Sequence, residues 1–159
     1  MIRIAASPRS FPHAGLAGAR TALLVIDMQR DFLDPRGYLA GMGYDLAGVR
    51  AAIGPARRLL DAARNAGLTV IHTRQGYRPD LAELPPHKRA RVTEGTSAIG
   101  RPGPLGRFLI RGEPGFDIIP ELAPIPGEFI VDKTANSAFW GTDLAAILAA
   151  HRIDSLIFA

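Results

Sequence analysis

The sequence predicts an α/β protein: a mainly parallel sheet with helices on its faces. Two observations predict it. Four short apolar runs, at 21–27, 68–74, 128–133 and 155–159, have the length and β-branched content of strands buried on both faces. Within the first pair of runs, and again within the last pair, lies a segment whose apolar residues recur at helical spacing. Strand–helix–strand repeated in this way is the signature of a parallel sheet.

The first run, Thr21 to Asp27, stacks Leu23, Leu24, Val25 and Ile26 and then meets a carboxylate, with a second acid, Asp31, four residues on. A charge at the end of a buried strand is costly unless it is paired or hydrogen-bonded. After the turn residues 34–37, Asp45 is a candidate N-cap. Leu46, Val49, Ile53, Ala56, Leu60 and Ala63 then mark one helix face. Gly54-Pro55 interrupts that face, which predicts a kink or a restart with Pro55 at the first helical position. Asn65-Ala66-Gly67 closes it, and "LTVIHTR" at 68–74 is the second strand.

Residues 75–117 read as one long loop, rich in Pro, Gly and charge. Loops of this length tend to be functional, so it is expected to pack at a pocket mouth or against a neighbouring subunit. A short helix or turn at 118–122 and the third strand, "EFIVDK", follow. Thr142 is the expected N-cap of a helix with Leu144, Ile147 and Leu148 on one side, and "SLIFA" is the fourth strand.

Length and composition set the frame. The 159 residues suit one domain, read as 20–159 after an N-terminal extension at 1–19. Apolar residues at 47% and charged ones at 21% fit an ordinary globular protein. No apolar run approaches the ~18 residues of a membrane span, and the N-terminus does not resemble a secretory signal. No membrane partner is therefore expected, and a cytoplasmic location is the default. The net charge is only +4, and the one dense basic stretch, His87 to Arg91, has no interleaved aromatic for base stacking. It reads as a solvated loop face, so nucleic acid is not an expected partner. Cysteine is absent, which removes disulfides, thiolate-ligated zinc and any thiol nucleophile within these residues.

Right-handed crossovers put the C-terminal end of every parallel strand on one sheet edge, where open α/β sheets bind ligands. Asp27 and Lys133 each end an apolar strand, so an acid and an amine fall on the same rim. Taken singly, each has a plain structural reading, Asp27 as a turn residue and Lys133 as a solvated strand end. His72, inside a strand, reads as a satisfied core or rim histidine, with no partner at metal-ligand spacing. Phe32, Phe139 and Trp140 could line a pocket or fill core. The stretch from Gly100 to Gly106 has prolines where a phosphate cradle needs N–H donors, so it reads as a rigid loop.

Four stretches, "LLVIDMQRDF" (23–32), "HTRQGYRPDL" (72–81), "RGEPGFDIIPEL" (111–122) and "DKTANSAFWGTDL" (132–144), resemble the isochorismatase-like cysteine hydrolases, in order and with matching spacing. Together with "GYLAGMGYDL" (37–46), they are most similar to the biuret and ureidoacrylate amidohydrolase branch. The resemblance implies a three-layer αβα sandwich and an Asp–Lys–Cys triad. Asp27 and Lys133 match its first two members. Phe32 matches an aromatic near the substrate, and Asn136 and Phe139 fall at the expected pocket wall. The family's cysteine lies in a turn shortly after the strand matched by "SLIFA", past Ala159. The sheet is accordingly expected to be incomplete at its C-terminal end, residues 20–159 being the first two-thirds of the domain.

The implied activity is hydrolysis of a C–N bond in a small, biuret-like urea derivative. It would run through a cysteine thioester, without metal or organic cofactor, in a homotetramer. Two other readings stay open: an isochorismatase-type vinyl-ether hydrolase that needs no cysteine, and a non-catalytic assembly chain.

Overall fold

A computed structural model of the chain describes residues 18–90 and 98–159. The N-terminal extension up to residue 17, and Arg91 of the basic stretch with the rest of 91–97, lie outside the described residues.

The four predicted strands form one parallel sheet. They are β1 (Thr21–Ile26), β2 (Thr69–Gln75), β5 (Phe129–Lys133) and β6 (Ser155–Phe158), in the order β5-β2-β1-β6. β1 is central, and Thr21 to Val25 are all buried. Its side chains alternate between two cores, as the period of two requires. Leu23 and Val25 face Leu60, Ala63 and Leu122, while Ala22 and Leu24 face Ile71, Val131 and Leu144. The sheet thus has α4 (Ile53–Asn65) on one side and α6 (Leu144–Ala150) on the other, the three-layer arrangement.

Several local features depart from the sequence reading. Two one-turn helices, α1 (Arg30–Leu33) and α2 (Tyr38–Gly41), follow β1; four residues are too few to carry a periodic signal. The long amphipathic helix is divided into α3 (Ala47–Ala51) and α4. A proline ring clashes with the carbonyl four residues earlier, here that of Ala51, where α3 stops. The restart comes two residues before Pro55, so its missing N–H falls among the donors that the first helical turn leaves unpaired. The apolar face divides with it: Ala56, Leu60 and Ala63 are buried, but Val49 is exposed. Asp45 precedes the capping position and still accepts the Ala47 N–H at 2.9 Å. In α6 the capping position belongs to Asp143, and Thr142 Oγ1 accepts the Leu144 N–H at 3.1 Å.

The stretch 75–117 contains α5 (Pro86–Ala90), a minimal hairpin of β3 (Pro102–Gly103) and β4 (Gly106–Arg107), and a single helical turn at Pro114–Phe116. Tyr77, Leu84, Leu109 and Ile110 form its own apolar cluster, packed against Phe32 and Tyr38. Isolated apolar residues, without a period, carry the packing.

One polar cluster fastens α4 to the sheet. Arg64 donates to both oxygens of Glu128, at 2.7 and 2.9 Å, and Glu128 Oε2 lies 2.9 Å from His72 Nε2. Burial alone would raise the Glu128 carboxyl. The Arg64 fork, the Ile125 N–H and His72 outweigh it and hold the group down at about 2. His72 is fully buried, and burial pushes its imidazole below the usual range against the pull of Glu128. A neutral imidazole beside an ionised carboxylate must donate from Nε2.

Candidate active site

The rim at the C-terminal ends of the strands is built on Asp27. Its backbone is left-handed, with φ of 52°, a region that Asp tolerates better than most residues. Its N–H donates to the Thr73 carbonyl at 3.1 Å, which anchors the turn on β2. Both carboxylate oxygens are engaged. Thr73 Oγ1 donates to Oδ1 at 2.6 Å, and Lys133 Nζ donates to Oδ2 at 2.6 Å. β2 lies between the strands bearing the two charges. Strands are about 4.8 Å apart, so roughly two such spacings separate the two strands, and the extended Lys133 stem, the hydrogen bond and the Asp27 side chain span them together. The Lys133 side chain is 4% exposed and that of Asp27 20%, so the pair lies at the edge of water.

Glutamines brace the pair. Gln75 Oε1 accepts from Lys133 Nζ at 2.9 Å, and Gln75 Nε2 donates to the Thr134 carbonyl at 3.0 Å. Gln29, wholly buried, accepts the Gln75 N–H at 2.6 Å and donates to the carbonyls of Gln75 and Phe116 at 3.1 and 2.9 Å. One side chain therefore stitches the end of β2 to the turn at Phe116. Asp31, the second acid, is buried too: its Oδ2 accepts the Leu109 N–H at 2.7 Å, while its Oδ1 has no partner among the described residues. A Cβ on Gly115 would stand 2.5 Å from that Oδ1, so only glycine lets the backbone pass. Burial raises the Asp31 carboxyl against the Leu109 hydrogen bond. Asp31 is a loop anchor, outside the cavity.

Above the pair opens a cavity of about 460 Å³. Asp27, Lys133, Phe32 and Asn136 line it, as do Tyr77 and Lys88 from the long stretch. Phe139 does not line this cavity: it is 53% exposed and borders an adjoining hollow of about 200 Å³ that shares Lys133 and Asn136 with it. Trp140 is 73% exposed and fills no core. Sequence reasoning missed Thr73, Gln75, Gln29, Tyr77 and Lys88. The one available signal was the pair of polar residues, Thr73 and Gln75, alternating along β2 toward the rim.

The arrangement presents a carboxylate fixed on two sides, a buried ammonium and a partly apolar chamber. Such a site can move a proton at a small polar substrate. Among the described residues no group of three metal-ligating side chains gathers.

Comparison with known proteins agrees with this architecture. Residues 21–159 match the isochorismatase domain. The chain is 33% identical over 148 residues to a ureidoacrylate amidohydrolase, RutB, of Rhizobium rhizogenes, covering 90% of this chain and 59% of that protein. It is also 33% identical over 146 residues to the RutB of Azorhizobium caulinodans, covering 90% and 64%. Among solved structures, a cysteine hydrolase from Pseudomonas syringae pv. phaseolicola superposes with a TM-score of 0.67 at 29% identity, covering 89% of this chain and 59% of that one. The N-carbamoylsarcosine amidase of Thermoplasma acidophilum gives 0.62 at 30% identity, covering 87% and 66%. The chain thus spans about three-fifths of the length of the curated relatives it matches. With the parallel sheet, the Asp27–Lys133 pair and a family match over nearly all of its described length, the chain belongs to the isochorismatase-domain family.

Proposed function

We propose that this chain supplies the sheet, the pocket and two of three catalytic groups of an amidohydrolase acting on a small, biuret-like urea derivative. The observation that carries this reading is the Asp27 carboxylate, fixed by Thr73 and Lys133 at the floor of the cavity. The third group in this proposal is a cysteine thiol in a turn after β6, past Ala159, as the family resemblance implies. Asp27 takes the thiol proton as sulfur attacks the carbonyl carbon, and returns it to the departing nitrogen as the C–N bond breaks. Ammonia leaves, and water then cleaves the thioester to give the acid and regenerate the thiol. Lys133 holds the carboxylate in place, and its charge favours the thiolate. Phe32 and Asn136, which line the cavity, bound the substrate in this proposal. The same resemblance favours a cytoplasmic homotetramer.

The test is ammonia release from biuret, triuret and ureidoacrylate by the full natural chain, its Asp27→Asn variant and the 159-residue form. Turnover by the full chain, and almost none by the other two, is expected. Comparable turnover by the 159-residue form overturns the thiol mechanism. Undiminished turnover by Asp27→Asn overturns the role of that carboxylate.

A further inference from the structure

We propose that Lys88 is a specificity-determining residue, whose ammonium receives a carboxylate carried by the substrate. This rests on the amidohydrolase reading above and, among urea derivatives, favours ureido acids over neutral ureas such as biuret. Among the described residues, Asp27, Lys133 and Lys88 are the charged side chains lining the cavity, and the first two form an ion pair with each other. Lys88 therefore leaves the chamber with one positive charge that no carboxylate among the described residues pairs.

This ammonium is held, unlike that of a solvated surface lysine. Nζ donates to the Tyr77 hydroxyl at 2.8 Å and to the Thr134 carbonyl at 3.4 Å, and it stands 5.5 Å from the centroid of the Tyr77 ring. Tyr77 is fully buried, and its own hydroxyl donates to the Thr134 carbonyl at 3.1 Å, so the platform is itself anchored. An ammonium has three donors, and among the described residues two acceptors are in reach, the Tyr77 hydroxyl and the Thr134 carbonyl. Phe32, Ile99 and Leu109 supply apolar wall to the same cavity, which lowers the local dielectric and strengthens a charge-assisted hydrogen bond there.

The anchor is also tied to the chemistry. Lys133 Nζ donates to Gln75 Oε1, Gln75 Nε2 reaches the Tyr77 hydroxyl at 3.4 Å, and that hydroxyl accepts from Lys88. A chain of two side chains thus fixes the spacing between the ammonium and the Asp27–Lys133 pair. A ureido acid can place its urea at Asp27 and its carboxylate at Lys88. Biuret has no anionic end to offer.

The experiment compares 3-ureidoacrylate with its neutral N-methylamide, using the full natural chain and its Lys88→Gln and Lys88→Arg variants. Ammonia release gives kcat and KM, and equilibrium dialysis gives binding whether or not turnover occurs. The natural chain should favour the acid at least tenfold in kcat/KM, mainly through KM. Lys88→Gln should bring the acid-to-amide ratio near one, and Lys88→Arg should restore most of the preference. Equal turnover of acid and amide by the natural chain, or a ratio untouched by Lys88→Gln, overturns the anion site while leaving the amidohydrolase reading intact. Charge-selective, Lys88-dependent binding without turnover does the reverse. Failure of the acid to bind at all also overturns the anion site.

Discussion

Lys133 Nζ lies 2.6 Å from Asp27 Oδ2 across an intervening strand, with Thr73 of that strand holding the other carboxylate oxygen. Breaking a buried ion pair costs about 3–5 kcal/mol because one charge is left uncompensated. Asp27 keeps some water and the Thr73 hydroxyl, so Lys133→Met should destabilise the fold by about 3 kcal/mol, the lower end of that range. The double variant Asp27→Asn/Lys133→Met should recover part of the loss, since no lone charge remains. Urea unfolding of the two single variants and the double variant checks this; additive losses would mean that the two groups are not coupled.

Thr73→Val keeps the shape of the side chain and removes the donor to Asp27 Oδ1, together with a hydroxyl that accepts the Asp27 N–H at 3.2 Å; that N–H keeps the Thr73 carbonyl. The carboxylate would then be held on one side. A misplacement of this kind is expected to lower kcat about tenfold or more with little change in KM, because alignment matters most at the reacting atoms. Steady-state kinetics of the full chain reads this directly.

Gln29→Ala strips partners from the Gln75 N–H and from two carbonyls in the interior. Unsatisfied buried groups cost ~1–3 kcal/mol each, and water can enter to meet some of them, so a total loss of about 2–4 kcal/mol is expected. Chemical denaturation measures it. Gln29→Glu should be worse, because a carboxylate cannot donate to the two carbonyls.

Asp31 and Glu128 respond to pH with opposite signs. Burial raises the Asp31 carboxyl above its unfolded value of 3.8, so its folded form binds protons more readily. The stability it lends is full below that value and is lost as pH rises through the folded pKa. Asp31→Asn should therefore raise the melting temperature at pH 7, with the advantage shrinking in acid.

Glu128 is lowered from 4.5 to about 2, so its contribution is present above 4.5 and disappears as pH falls toward 2. The shift corresponds to roughly 3 kcal/mol at most. His72, lowered from 6.5 by burial, adds a loss that begins as pH falls below that value. Glu128→Gln should thus be destabilised at pH 7 and differ little from the parent near pH 2. His72→Gln should flatten the upper part of the acid limb. Thermal melts from pH 7 to pH 2 test both.

The sequence by itself determined the four strands, because each is a short, uninterrupted apolar run. It also determined that Asp27 and Lys133 share a sheet edge, because parallel strands joined by right-handed crossovers end on the same side. The family followed from motifs in order along the chain. The strand order was decided in three dimensions: β2 separates the two charges, and nothing local in Asp27 or Lys133 encodes that. The division into α3 and α4 depended on where Pro55 could sit relative to Ala51. Gln29, Thr73, Gln75, Tyr77 and Lys88 carry no motif of their own. Their roles come largely from hydrogen bonds between residues 11 to 87 positions apart, which exist only once the fold has brought donor and acceptor atoms within about 3 Å of each other.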